Sequence, residues 1–544
     1  MSLIKLHCPN KKCKKVAKEL SSSIQGKYRV VKLECGHSLI TSSSVDIIKD
    51  EPKDNPVVFL DGGKPYKYQD EGILKAEEIL KRTGGVVFGD EMRLGKTIQV
   101  LGVLKRNAST MLPAIGIVKA GLLLQFNKEA VRVLNTKEEI EAGKVHLVQV
   151  FDNKFHKPMP GFSLYLFSYD TLPKFDLEEI KSLIKPKFIF FDECQQIKND
   201  SAQRTKACQN LTFGGDETIP YRAGISGTWI KNNAAESYPI FNLIQPLRFS
   251  SKKSFEDEYV DSYVTSGGVK KYSGIKPHRL EDWKSLLSEF VIRRERKDVL
   301  PDLPAINRTF FYTPLGEMVQ RMYTLMLKKF QESYDEMGGT YSSADRANLL
   351  SYITKMRHIT GIAKVEPCLE WIGDFLEGTE DRLTVFVHHQ DVGEMLYRQC
   401  EEKGYRPLKY VASMNFEQRQ EVIDLFTKDP SRRLIIASML AAGEGVTFPP
   451  CQIVMLERQW NPANEEQAEA RPIKIDGSNN QVNATYFLAT GTIDEYFANL
   501  VEDKRKILKQ TMRGDGEIKW HEESLMMELV EMLAKNGGKR WKGW

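Results

Sequence analysis

Long apolar runs are missing from this chain: no stretch of its 544 residues approaches the ~18–20 consecutive apolar positions of a bilayer-crossing helix. The opening MSLIKLHCPNKKCKK also lacks the apolar centre of a secretory leader, so export is not expected and a cytoplasmic location is. Cysteine is sparse. Eight in a chain this long are too few for a disulfide scaffold, and five stand isolated, which suits a reducing compartment. Repeats at a fixed period and long low-complexity tracts are missing as well, which excludes collagen, solenoids and rods.

What is present has globular proportions: 41% apolar and 28% charged residues. The length exceeds the roughly 250–300 residues at which one core stops growing, so two or more domains are expected. The net charge of +5 divides unevenly. Residues 1–50 hold ten Lys/Arg against four Asp/Glu, so the basic character sits there and the remaining chain is one charge negative. A basic segment can attract a polyanion, although a solubilising surface explains the same charge.

Apolar patterning divides the chain further. Residues 1–50 form a small basic module and 51–64 (EPKDNPVVFLDGGK) a Pro/Gly-rich linker. Over 65–250, short runs such as VVF (86–88), AIGIV (114–118), VHLVQV (145–150), LYLFSY (164–169) and KFIFF (187–191) alternate with amphipathic helices. One of these helices is expected to bury Ile73, Leu74, Ile79 and Leu80 on one face. Residues 251–375 read as a helical insertion, 376–510 as a second α/β lobe and 511–544 as a basic helical tail. The expected fold is therefore α/β, two parallel sheets with helices on both faces. A capping box, Asn415 with Gln418, marks one helix start in the second lobe.

Two segments carry chemistry. A strand ending at Phe88 leads through GDEMRLGKT (89–97) into an amphipathic helix. In that setting, main-chain N–H groups and the helix start face the β/γ-phosphates of a nucleotide. Lys96 supplies charge, and Thr97 offers a hydroxyl to Mg²⁺. Asp90 stands where the strict phosphate-loop pattern has glycine, and a lone GKT is often only a surface turn. KFIFFDECQ supplies the partner, delivering Asp192 and Glu193 at a strand's C-terminal end, where open α/β sheets bind ligands. Asp192 is expected to hold Mg²⁺ and Glu193 to orient or activate water.

With these motifs in hand, residues 60–510 resemble the Swi/Snf-type members of the superfamily-two helicase-like ATPases. DEMRLGKT resembles DEMGLGKT, and DECQQIKN (192–199) stands where that family has DEAH. GISGTWIKNN (224–233) resembles its TGTP-x-x-NN element, and FVIRRERKDVLPDLP (290–304) the stretch after its first lobe. AAGEGVTF (441–448), ERQWNPANEEQAEAR (457–471) and GTIDEYFANLVEDKRKIL (491–508) resemble successive motifs of its second lobe. Six or more such elements in the right order leave little to chance.

The resemblance implies two tandem RecA-like lobes and an ATP-driven motor on double-stranded DNA, with the duplex followed along its backbone. A strand-separating helicase on DNA or RNA and a DNA-binding adaptor with weak or lost turnover are the alternatives. It further implies that Gln69 reads adenine, and that Asp90, Gly95, Lys96, Thr97 and Gly445 line the nucleotide. Arg471, with Lys474 at the position of a second arginine, would meet the γ-phosphate from the far lobe. Nucleic-acid contact or coupling falls to Lys119, Ser168, Tyr169, Gly227, Thr228, Gly443, Trp460 and Gln467. A monomer is the default, with no membrane partner. The compact plan suggests a bacterial or phage source and association with the nucleoid.

The sequence departs from the family at instructive places. Arg93 replaces a loop glycine; if that position needs φ > 0, the arginine costs about 1–2 kcal/mol. Lysine at 474 is a point charge without arginine's planar fork. Cys194-Gln195 replaces Ala-His, which alters the link between the carboxylates and the threonine element. In the basic module, Cys8, Cys13, Cys35 and His37 form two close pairs that suit structural Zn²⁺, and a segment this small benefits from such a staple. His7 competes with His37 as the fourth ligand, and unrelated reduced thiols are the plainer reading. Contact with DNA or a protein partner is the task expected of this module. His388-His389 has no second pair at ligand spacing, so a metal role is not expected there. KRWKGW (539–544) mixes cations with tryptophan and could stack on bases.

Overall fold

A computed structural model describes the chain apart from residues 1–4, 8–15, 26–27, 34–37, 43–55, 152–156, 215–217, 231–233, 265–269, 301–305, 337–342, 443–447, 460–461, 474–480, 514–528, 531–532 and 534–544. The chain opens with an antiparallel four-stranded meander: β1 (Lys5–His7), β2 (Val16–Gln25), β3 (Tyr28–Leu33) and β4 (Ser38–Ser42). The four proposed zinc ligands Cys8, Cys13, Cys35 and His37 lie outside the described residues. Among the described residues no cluster of three His, Cys, Asp or Glu has metal-binding geometry.

The first lobe holds β5 (Gly85–Phe88), β6 (Ala114–Val118), β7 (Val148–Phe151), β8 (Leu164–Ser168), β9 (Phe188–Asp192) and β10 (Tyr221–Ile225). An antiparallel hairpin follows, β11 (Val260–Val264) with β12 (Lys270–Ile275), and then the short β13 (Val291–Ile292). Seven of these strands form one parallel sheet in the order β13-β5-β10-β9-β6-β8-β7. Every residue of β5, β6, β8, β9 and β10 is buried, because helices cover both faces. Such strands need continuous Val/Ile/Phe runs, and the sequence supplies them.

The second lobe holds β14 (Asn307–Thr313), β15 (Leu383–Val387), β16 (Leu408–Tyr410), β17 (Leu434–Ser438), β18 (Gln452–Met455) and β19 (Asn483–Ala489). Its sheet is parallel in the order β14-β19-β18-β15-β17-β16. Alternate residues feed its two faces: Phe386, Ile435, Ile453 and Met455 enter one core, and Val385, Val387, Ile436 and Val454 the other. Asn415 caps the helix Phe416–Lys428 in the expected reciprocal box with Gln418.

The domain division differs from the expected one. The helix Leu280–Phe290 and β13 belong to the first lobe, where Trp283, Phe290 and Ile292 join its core. β14 belongs to the second lobe's sheet. The span 251–375 is thus not one helical insertion. The helices Glu317–Glu336 and Ser343–Ala363 pack against Ile493–Arg513 in a separate core. Leu74 also departs from expectation: it is 38% exposed while Ile73, Ile79 and Leu80 are buried. Among the described residues no helix is long and apolar enough to cross a membrane.

Candidate nucleotide cleft

Strand order builds the site. β5, β10 and β9 are neighbours, with Ile225 registered against both Phe88 and Asp192. Their C-terminal ends therefore place three loops side by side: Gly89–Gly95, Ser226–Thr228 and Glu193 onward. The first loop runs into the helix Lys96–Arg106, with Gly95 as its cap at φ +70°. A β-carbon on Gly95 would lie 2.2 Å from the Gln69 amide nitrogen, so the loop's tightness needs glycine twice over.

Lys96 donates from Nζ to the carbonyls of Asp90 (2.9 Å) and Glu91 (3.2 Å). Loss of water pulls its pKa down, while Glu193, Asp90 and Asp192 oppose that shift and Arg293 adds to it. The threonine element stands against it: a β-carbon on Gly227 would be 3.2 Å from Lys96 Nζ and 3.1 Å from the Asp90 carbonyl. Thr228 Oγ1 is buried with no hydrogen-bond partner among the described residues. Asp192 closes β9, where burial and then Glu193 push its carboxyl up to about 7, and Lys96 and Lys119 pull the other way. Glu193 follows in the left-handed region at φ +50°, and Gln195 donates from Nε2 to its carboxylate. Gln195 thus stands where the resemblance puts histidine, holding the second acid.

Three arginines after β13 clamp the phosphate loop from behind. Arg293 donates to the Gly89 carbonyl (2.8 Å). Arg294 donates to both carboxylate oxygens of Asp90 and, at 2.8 Å, to Gln99 Oε1. Arg296 binds Glu91 through its main-chain N–H (2.8 Å) and its guanidinium (3.0 Å). The two-residue β13 sets this up by pairing Val291 with Val87 and Ile292 with Phe88. Sequence reasoning singled out the RRER segment yet gave it no role. Its partners lie some 200 residues away (204 for Arg294 and Asp90), and no local pattern reports that.

The structure redirects several expected roles. The Asp90 carboxylate is fully buried and committed to Arg294 and Gln99, so it shapes the loop and does not face a nucleotide. Gln69 accepts from the Tyr66 N–H (3.0 Å) and donates to the Leu94 carbonyl (3.3 Å), tying its helix to the phosphate loop. Ser168 is buried in a turn, its hydroxyl 2.9 Å from that of Thr171. Tyr169 is buried and donates to the Asp192 carbonyl (2.8 Å), which makes it a brace of β9 and not a nucleic-acid contact. Lys119 follows β6 at the same end of the sheet, half-buried. Gly443, Gly445, Trp460 and Lys474 lie outside the described residues.

The second lobe faces this site with the helix Pro462–Glu469, which carries half-buried Gln467, and the turn after it, which carries Arg471. Arg93 crosses the cleft. It has φ +70°, the conformation a glycine would adopt freely, and its guanidinium donates to the carbonyls of Ala470 (2.9 Å) and Arg471 (2.8 Å). Beside this bridge is a small cavity of ≈ 50 Å³ walled by Thr228, Arg293 and Arg296 of the first lobe and Arg308, Glu466 and Glu469 of the second. A buried ionic network stiffens the far wall. Arg308 forks onto Glu469 (2.7 and 2.6 Å), while Arg458 (3.1 and 2.7 Å) and Arg505 (2.9 Å) converge on Glu465.

A lysine-bearing loop, an acidic strand end and an arginine-bearing turn thus meet across a cleft between two parallel α/β lobes. Two family models match in succession: a SNF2-related domain over residues 30–364, which takes in β14, and a helicase conserved C-terminal domain over residues 363–476. The chain belongs to the SNF2-related family. It is similar to an uncharacterized ATP-dependent helicase of Mycoplasma genitalium, at 26% identity over 82% of this chain and 42% of that protein. It is similar also to the human DNA annealing helicase and endonuclease ZRANB3, at 25% identity over 84% of this chain and 41% of that one. Among solved structures, the Sulfolobus solfataricus SWI2/SNF2 ATPase core in complex with dsDNA matches at 20% identity and a TM-score of 0.38, over 90% of this chain and 100% of that one. The chain spans less than half the length of the two curated relatives.

Proposed function

We propose that this chain is an ATP-dependent translocase on double-stranded DNA that couples hydrolysis to closure of its two lobes. One observation carries the reading: the loop bearing Lys96 and the turn bearing Arg471 meet across one cleft, bonded through Arg93. The names of its relatives, an ATP-dependent helicase and a DNA annealing helicase, agree with ATP as fuel and DNA as track.

In this reading Lys96 and the N–H groups of the loop hold the β/γ-phosphates. Thr97 and Asp192 are hard oxygen donors that would hold Mg²⁺, whose charge would neutralise phosphate oxygens. The donor set fits, because the buried Asp192 carboxyl resists ionising beside Glu193, and a divalent cation would offset that. Glu193, steadied by Gln195, orients a water and accepts its proton as that water attacks the γ-phosphorus and the bond to the β-phosphate oxygen breaks. Arg471 meets the charge on the transferring group. Lobe movement then shifts the DNA contacts. A zinc ion on Cys8, Cys13, Cys35 and His37, with DNA or a protein as that module's partner, is proposed from spacing and charge alone. Elemental analysis of the purified chain tests the ion.

ATP turnover measured with duplex, single strands and RNA tests the function. Stimulation by duplex together with displacement of a triplex strand is expected. Unwinding of a forked duplex would favour a strand-separating helicase, and DNA affinity without turnover an adaptor. Lys96→Ala and Glu193→Gln should each abolish hydrolysis while leaving DNA affinity within a few-fold.

A further inference from the structure

We propose that Arg93 is a positioning residue for hydrolysis: by bonding across the cleft, it holds the Arg471 turn of the second lobe against the phosphate loop. The inference rests on the reading of Arg471 as the group that meets the γ-phosphate.

Geometry supports it from both sides. The backbone at 93 sits at φ +70°, where glycine is at ease and arginine is not, so the side chain occupies a position that the local chain would give to glycine. Glycine has nothing to reach across with. The guanidinium spends its Nε and one terminal nitrogen on two consecutive carbonyls, Ala470 at 2.9 Å and Arg471 at 2.8 Å. Arginine's planar fork matches such a pair, whereas an ammonium is a single point. Those carbonyls follow the helix Pro462–Glu469, at the end where a helix leaves oxygens unsatisfied and where cations are favoured. The contact therefore fixes the main chain of the very residue whose side chain must be aimed.

The charges explain why such a hold is useful. Burial above all, then the neighbouring Arg471 and Arg296, together lower the Arg93 pKa to about 9. Three guanidinium groups thus crowd one edge of the phosphate loop. Their mutual repulsion tends to part the lobes, the carbonyl bonds of Arg93 oppose it, and a triphosphate between them would remove it. A hold of this kind favours catalysis by orientation, in which misplacement of a group by about 1 Å can cost ~10²-fold.

Arg93→Gly tests this without threatening the fold, since glycine suits the backbone there. Its thermal midpoint should equal or exceed that of the parent. Its duplex-stimulated kcat should fall roughly tenfold or more with a smaller change in KM, and Arg93→Lys should recover part of the loss. In an Arg471→Ala background the glycine substitution should cost nothing further, because its effect runs through Arg471. Turnover of Arg93→Gly within about twofold of the parent would overturn the proposal, as would an equal further loss in the Arg471→Ala background. Electron–electron resonance distances between spin labels on the two lobes supply a readout independent of activity. The distribution should broaden toward longer distances in Arg93→Gly, and an unchanged distribution would overturn the latch. A parent chain without turnover would defeat the proposed function instead, and the distance measurement would still decide whether Arg93 joins the lobes.

Discussion

His388 shows how a single side chain is tuned by what surrounds it. It follows β15, and Gln459 stands 2.9 Å from its Nδ1, where the amide can donate only to a neutral imidazole. Burial, Arg357 and His389 lower its pKa to about 4, with Glu457 opposing them. An unfolded chain would take up a proton near 6.5 that the folded one refuses until about 4. Stability should therefore rise with pH across that window. His388→Gln should flatten this part of a urea-unfolding profile taken from pH 4 to 7, and an unchanged slope would exclude the residue as its source. The same scale shows what the sequence could reveal. The loop bearing Lys96 and the strand end bearing Asp192 and Glu193 were legible as segments because contiguous residues form each, and the sheet order sets them side by side. Asp90 was misread as a nucleotide contact because its true partner, Arg294, is 204 residues distant. Arg93 was legible as an oddity, but the carbonyls it serves lie 377 and 378 residues on.

At the scale of elements, the helix Pro462–Glu469 depends on its neighbours more than on its own sequence. Glu465 is fully buried and answers Arg458 and Arg505, so it ties the segment after β18 and the helix Ile493–Arg513 to the turn that bears Arg471. Removing such a carboxylate takes away the buried partner of both guanidinium groups and leaves Glu502, at the rim, to answer the two. Glu465→Ala should cost about 3–5 kcal/mol of unfolding free energy, read by denaturant titration; a loss below ~1 kcal/mol would mean that the network is dispensable. Strands such as β5, β6 and β9 announced themselves as unbroken apolar runs, the pattern of a sheet covered on both faces. β13 did not, since two residues carry no period. β14 did not either: six of its seven residues are half-buried or exposed at a sheet edge, which leaves no core-facing alternation to read. Those two strands are why the expected boundary at 250 and the single insertion over 251–375 dissolved into both lobes.

Across the whole molecule, two sheets of unrelated strand order present their loops to one cleft. The first contributes the loop bearing Lys96 and the acids Asp192 and Glu193, the second the turn bearing Arg471. Under the proposed function, such an arrangement would make turnover depend on lobe closure, and so on whatever both lobes grip. Single-turnover hydrolysis of ATP in the presence of duplex DNA, with and without Arg471→Ala, tests this dependence most directly. Loss of the arginine should slow the chemical step by roughly 10³–10⁵ while ATP affinity changes by no more than a few-fold. Equal rates for the two proteins would mean that the second lobe takes no part in the chemistry.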